Sequence, residues 1–107
     1  MKGSLLRFYM HENRRQDHIL LYEWLLEQAK DLGIEGGSAF RAIAGFGRHG
    51  ILHEQHFFEL AGNLTVTVEF LTSDEEAEKI LHLIRDKNVS LVYARLPAEL
   101  AVINGSH

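Results

Sequence analysis

The sequence predicts an α+β fold in which a four-stranded antiparallel sheet carries two helices on one face. Three observations support this. Four short segments alternate apolar and polar residues, two longer ones repeat apolar residues at three- and four-residue steps, and their order is strand, helix, strand, strand, helix, strand. Right-handed crossovers place both helices on the same side of the sheet and its first and third strands at the centre.

Each element has its own signature. Leu5 to Met10 sets Leu6, Phe8 and Met10 on one side and Leu5, Arg7 and Tyr9 on the other, the period of a strand. His11 to Gln16 is a polar connection. Asp17 stands where an N-cap would, ahead of a helix from His18 to Leu32 whose stripe is Leu21, Tyr22, Leu25, Ala29 and Leu32. Ile19, Leu20, Trp24 and Leu26 widen that stripe, so Trp24 reads as packing, and Gly33 supplies a left-handed stop. Gly36 and Gly37 open a second strand, Ser38 to Phe46, with Phe40, Ala42, Ala44 and Phe46 opposing Ala39, Arg41 and Ile43. Asn63 to Leu71 has the clearest strand pattern, with Leu64, Val66, Val68 and Phe70 facing one way. Ser73-Asp74-Glu75-Glu76 places acidic residues on the positive end of a helix whose stripe is Ala77, Ile80, Leu81 and Ile84, with Arg85 and Lys87 at the negative end. Leu91 to Leu96 is the last strand, which Pro97 is expected to halt, leaving a tail from Ala98 to His107. The whole is a ferredoxin-like split βαβ sandwich, expected to form one domain over residues 1–107.

If Leu6, Phe8 and Met10 meet the helices, the opposite sheet face carries Leu5, Arg7, Tyr9, Arg41, Ile43, Glu69, Leu71, Tyr93 and Arg95. Such a face is too apolar for water and too charged for an ordinary core. It reads as a subunit interface with internal ion pairs, so a homo-oligomer is expected.

Composition narrows the function classes. A net charge of −4 and a sequence pI of 5.9 lack the electrostatic footprint of a nucleic-acid binder. No apolar run reaches the roughly 18–20 residues of a membrane span, and the start of the chain does not read as a signal peptide. Zero cysteines removes disulfides, thiolate metal sites and cysteine nucleophiles together. The chain reads as cytoplasmic.

The chemistry-bearing stretch is Gly45-Phe46-Gly47-Arg48-His49-Gly50, followed by His53 and His56. Glycines let backbone amides approach phosphate oxygens, and an arginine offers paired donors in a fixed fork, so one reading is an anion-binding loop. A second is a divalent-metal site on His49, His53 and His56, with Glu54 or Glu59 adding an oxygen. Arg14 and Arg15, with Arg48, would supply a basic rim. No Ser-His-Asp set or carboxylate pair stands at catalytic spacing, which disfavours an enzyme. The enzymatic alternative is a small hydrolase acting on a bound phosphate compound through His49.

The Gly45-Phe46-Gly47-Arg48 stretch, a long loop, and then a strand and an amphipathic helix resemble the PII signalling proteins. The sequence is more similar still to a PII-like domain-of-unknown-function family, through Leu6-Arg7-Phe8-Tyr9-Met10, Leu21-Tyr22-Glu23, Gly33-Ile34-Glu35-Gly36-Gly37, Ile43-Ala44-Gly45-Phe46-Gly47 and Leu52-His53. The resemblance covers roughly nine-tenths of the chain. It implies a homotrimer with a small anionic ligand, an adenine nucleotide in PII relatives, bound in clefts between subunits. The loop after the second strand would report occupancy to a partner such as a membrane transporter or an enzyme. By position, Gly37, Gly45, Gly47, Arg48 and His49 would line the cleft, His49 standing where PII proteins usually have glutamine. No obligatory metal is implied. The chain departs from the PII pattern at Asp86-Lys87-Asn88-Val89-Ser90, which replaces a second glycine- and lysine-bearing phosphate loop. It also lacks the paired C-terminal arginines, with Arg95 the nearest basic residue, and any tyrosine between Gly47 and Gly62.

Overall fold

A computed structural model describes residues 1–46 and 64–105. The elements are β1 (Lys2–His11), β2 (Arg15–Gln16), β3 (Ile19–Leu20), α1 (Leu21–Asp31), β4 (Ser38–Arg41), β5 (Thr65–Ser73), α2 (Asp74–Asp86) and β6 (Val92–Glu99). The main sheet has the order β4-β5-β1-β6 with every neighbouring pair antiparallel. The first and third of the expected strands are therefore central, and the fold is the ferredoxin-like one that the element order implied.

One face of the sheet is dry because the period-two apolar sets of the two central strands, β1 and β5, point the same way. Leu6, Phe8 and Met10 of β1 and Val66, Val68 and Phe70 of β5 are buried against Leu21, Trp24, Leu25 and Ala29 of α1 and Ala77, Ile80, Leu81 and Ile84 of α2. Phe8 and Phe70 meet edge to face at 6.2 Å between ring centroids. At about 25 cal/mol per Å² of apolar surface removed from water, this layer is the main favourable contribution to folding.

Three of the four helix ends are closed by local hydrogen bonds. Ser73 Oγ accepts from the Glu76 amide and Glu76 Oε1 accepts from the Ser73 amide, a full capping box. Both C-termini end in the same two-bond motif. Gly33 at φ 91° donates to Lys30 and Ile34 to Ala29 after α1, and Asn88 at φ 57° donates to Arg85 and Val89 to Ile84 after α2.

Four sequence expectations need correction. Asp17 is no N-cap: with His18 it forms the turn of the β2–β3 hairpin, at φ 52° and 71°, and the helix starts at Leu21 behind an uncapped Leu20. Two consecutive left-handed residues make the tight turn that matches strand twist, and this local pairing replaces the first helical turn. The second strand ends at Arg41, and the chain bends at Ile43 and Ala44. Pro97 does not halt the last strand, which pairs with β1 through Glu99. An edge strand needs only one side of its ladder, so a proline is accommodated there.

The fourth correction concerns the two faces. Cross-strand partners share a face, and Phe8 pairs with Tyr93, Leu6 with Arg95 and Val66 with Arg41. Tyr93, Arg95 and Arg41 therefore lie on the helix side, and Ile43 lies beyond the sheet. The open face carries Val92, Ala94 and Leu96 from β6 and Phe40 from β4 instead.

Candidate functional site

The end of the sheet where β1 and β4 finish carries three arginines. Ladder pairs set His11 opposite Thr65 and Arg41 opposite Val66, so the chain leaves β4 and returns into β5 at this edge. The Glu12 amide donates to the Leu64 carbonyl (2.9 Å) and the Ala42 amide to the Thr65 carbonyl (2.8 Å), which fixes both stems. Arg41 pairs with Glu12 at 2.9 Å, and Arg14 Nη1 donates to the Ser90 carbonyl at 2.8 Å. Arg15 Nη2 donates to the His18 carbonyl at 3.0 Å, across the hairpin turn that interrupts the route from β1 to α1. Three arginines thus stand at one end with exposed guanidinium groups.

Of the expected cleft residues, Gly45 follows the bend at this end, and a Cβ built on it meets no described atom within 4 Å. Gly47, Arg48 and His49 lie outside the described residues, as do His53 and His56. Gly37 lies elsewhere. It precedes β4, whose four residues extend about 13 Å, and a Cβ there would press into the Phe70 ring and approach Leu26. The structure gives Gly37 a packing reason for lacking a side chain. Among the described residues, no group of three or more His, Asp or Glu is placed to hold a metal.

The open sheet face is the second feature. Leu71, Leu5 and Leu96 form a row across three strands, and Glu69, Arg7 and Ala94 form the next. Arg7 Nε donates to Glu69 Oε2 at 2.7 Å, and that hydrogen bond, with a lesser one donated to Tyr9, raises the guanidinium pKa. Leu71 is 60% exposed, Phe40 53% and Leu96 42%. An ion pair ringed by exposed large apolar groups is the pattern of a surface meant to be covered.

Arg95 does different work from that expected of a lone C-terminal basic residue. Its guanidinium reaches Ser4 Oγ (3.1 Å), Glu78 and Asp74, and Ser4 Oγ donates on to Asp74 Oδ1 (2.8 Å). The pairing with Glu78 is the largest cause of its raised pKa. This network ties β6 to the first turns of α2. A surface recess of about 640 Å³ opens beside it, lined by Lys2, Ser4, Asp74, Arg95, Pro97 and Glu99 among others. Opposite charges offset one another there. The Arg14–Ser90 and Arg95–Ser4 links join residues more than 75 positions apart, and no local pattern announces them.

A family model described as Uncharacterized ACR, DUF190, matches residues 3–92. The chain belongs to the DUF190 family. An UPF0166 protein of Aquifex aeolicus (strain VF5) is 35% identical over 92 residues, covering 86% of this chain and 88% of the relative. An UPF0166 protein of Methanocaldococcus jannaschii is 28% identical over 81 residues, covering 76% and 74%. Among solved structures, this DUF190 chain is similar to a PII-like signalling protein of Thermus thermophilus, with TM-score 0.61, 20% identity, and 91% and 87% of the two chains covered. It is likewise similar to CPII, a nitrogen regulatory PII-like protein of Thiomonas intermedia bound to ADP, AMP and bicarbonate, with TM-score 0.62, 13% identity, and 95% and 96% covered. At these identities the likeness is one of fold: the DUF190 chain has the PII-like fold. Among the described residues no helix is long and apolar enough to cross a membrane.

Proposed function

We propose that this chain is the subunit of a homotrimeric PII-like regulator that binds a small anionic ligand in clefts between subunits and signals occupancy through the segment after β4. The carrying observation is that Arg14, Arg15 and Arg41 stand, each on its own partner, at the sheet end from which Gly45 leads into Gly47, Arg48 and His49. Three sheets packed by their open faces would cover the Leu71-Leu5-Leu96 row and set the basic end of each subunit beside its neighbour.

The loop from Asp86 to Ser90 is committed elsewhere. Asn88 and Val89 close α2, Val89 is buried, and Ser90 gives its carbonyl to Arg14. Phosphate recognition in this reading rests on Gly45, Gly47, Arg48 and His49 with the arginine rim, and Gly37 contributes by shaping the start of β4. An adenine nucleotide is the ligand that CPII suggests. The partner is a protein, a transporter or an enzyme, that reads the loop.

Calorimetry against ATP, ADP, AMP, phosphate and bicarbonate, with and without magnesium, tests the reading. Binding is expected for at least one nucleotide, weakened at least about tenfold in Arg48→Ala, the loss of a charge-assisted pair. Silence across the panel would refute a ligand-responsive regulator.

A further inference from the structure

Two asparagines hold nearly the same left-handed backbone conformation, Asn88 at φ 57° and Asn104 at φ 56°. Asparagine visits this region more readily than most residues with a side chain, so both suit their turns. Their surroundings differ. Asn88 is followed by Val89, which is buried and whose amide donates to the Ile84 carbonyl at 3.2 Å. Asn13, the remaining described asparagine, precedes Arg14, whose amide donates to the His11 carbonyl at 3.2 Å. Asn104 is followed by Gly105, and both are exposed in the turn beyond β6. A Cβ on Gly105 would collide with Val102, so the turn itself calls for glycine at that position.

That requirement has a chemical consequence. The amide nitrogen that follows an asparagine can reach the side-chain carbonyl carbon and close a cyclic imide. A side chain on the following residue shields this nitrogen, a branched one most, and glycine leaves it open. We propose that Asn104 is a self-modification site, converted to aspartyl and isoaspartyl forms by the Gly105 amide nitrogen. The nitrogen forms a bond to Asn104 Cγ, its proton leaves with the side-chain amide group as ammonia, and the imide remains. Water then opens either imide carbonyl. Opening at Cγ leaves a carboxylate on the original backbone, and opening at the main-chain carbonyl routes the backbone through the side chain and lengthens it by a methylene. One water enters and one ammonia leaves, with no metal or redox partner. Each event adds one negative charge to a chain of net charge −4. The sheet is insulated from it, because Met1 and Leu100 exchange amide-to-carbonyl bonds at 2.7 and 2.9 Å before the turn begins. Asn104 also lies beyond the family match, which ends at residue 92, so this chemistry is a feature of the individual chain.

The full chain is held at physiological temperature in neutral and in mildly alkaline buffer, and its peptides are mapped by mass spectrometry with aspartyl and isoaspartyl forms separated. Asn104 should convert at least about tenfold faster than Asn13 or Asn88, a barrier lower by about 1.4 kcal/mol, and Gly105→Ala should remove most of that advantage. Conversion should quicken in the alkaline buffer, because the attacking nitrogen must lose its proton, and the product should contain the isoaspartyl form. Conversion of Asn104 no faster than that of Asn13 or Asn88, or a product without isoaspartate, would overturn the proposal. A Gly105→Ala chain that converts at the wild-type rate would overturn it as well. The converted protein should keep its far-ultraviolet dichroism and unfolding midpoint, and a midpoint that falls with conversion would contradict the separation of turn and sheet.

Discussion

Leu71→Ala offers the sharpest test of whether the open sheet face is covered. Leu71 sits in the row with Leu5 and Leu96, and 60% of its surface is exposed in the single chain. Full burial of a leucine side chain is worth about 1.5–3 kcal/mol, so covering the remaining 60% contributes about 1–2 kcal/mol per chain. Across three copies this is about 3–5 kcal/mol, or roughly two to four orders of magnitude in the trimer dissociation constant. Within the isolated chain the same truncation acts only on the part already buried, so intrinsic stability should fall by less than about 1 kcal/mol. Sedimentation equilibrium over a dilution series reads the first quantity, and thermal unfolding at high and low protein concentration reads both, because association makes the midpoint depend on concentration. An unchanged particle mass, with a midpoint independent of concentration in both proteins, would refute the reasoning.

Gly37→Ala should cost about 1–3 kcal/mol in urea unfolding, because its Cβ drives into Phe70 in a packed layer; a neutral result would return Gly37 to a ligand role alone. Ser73→Ala removes the capping box of α2 and should cost about 1 kcal/mol in the same assay, whereas Ser73→Asp should retain most of it. The raised pKa of Arg7 carries a definite sign: its contribution is complete below the unfolded-state value and is lost only when pH rises through the still higher folded value. Deprotonation of Arg7 should therefore not weaken its coupling to Glu69 between about pH 6 and 9 in a double-mutant cycle, and a decline toward pH 9 would contradict the assignment.

Much of this architecture was legible because it depends on periodicity. Leu6, Phe8 and Met10, then Val66, Val68 and Phe70, alternate so regularly that strand identity and buried face follow together. Gly33 after a helical stripe and the Ser73-to-Glu76 box are local motifs, and the structure builds both helix ends around them. The errors fell where local signals compete or are missing. Asp17 suits a cap and a left-handed turn equally, and the choice went to a hairpin whose partners, Gln16 and Ile19, carry no strong strand pattern. The face of β6 differs from expectation because both of its alternate sets are plausible partners for the core: Val92, Ala94, Leu96 and Ala98 are apolar, yet Tyr93 and Arg95 are the ones that face the helices.

By itself the amino-acid order determined the four main strands and two helices, the central place of the first and third strands, and the glycine-and-arginine segment on which the functional reading depends. Those features act over a few residues or through the handedness of crossovers, so a linear reading reaches them. Only the tertiary structure decided which side of β6 faces the helices, that Gly37 is shaped by Phe70, and that Arg14 and Arg95 clasp Ser90 and the α2 entrance. Each depends on register or on groups brought together from distant parts of the chain, and a one-residue slip in register would have reversed every face.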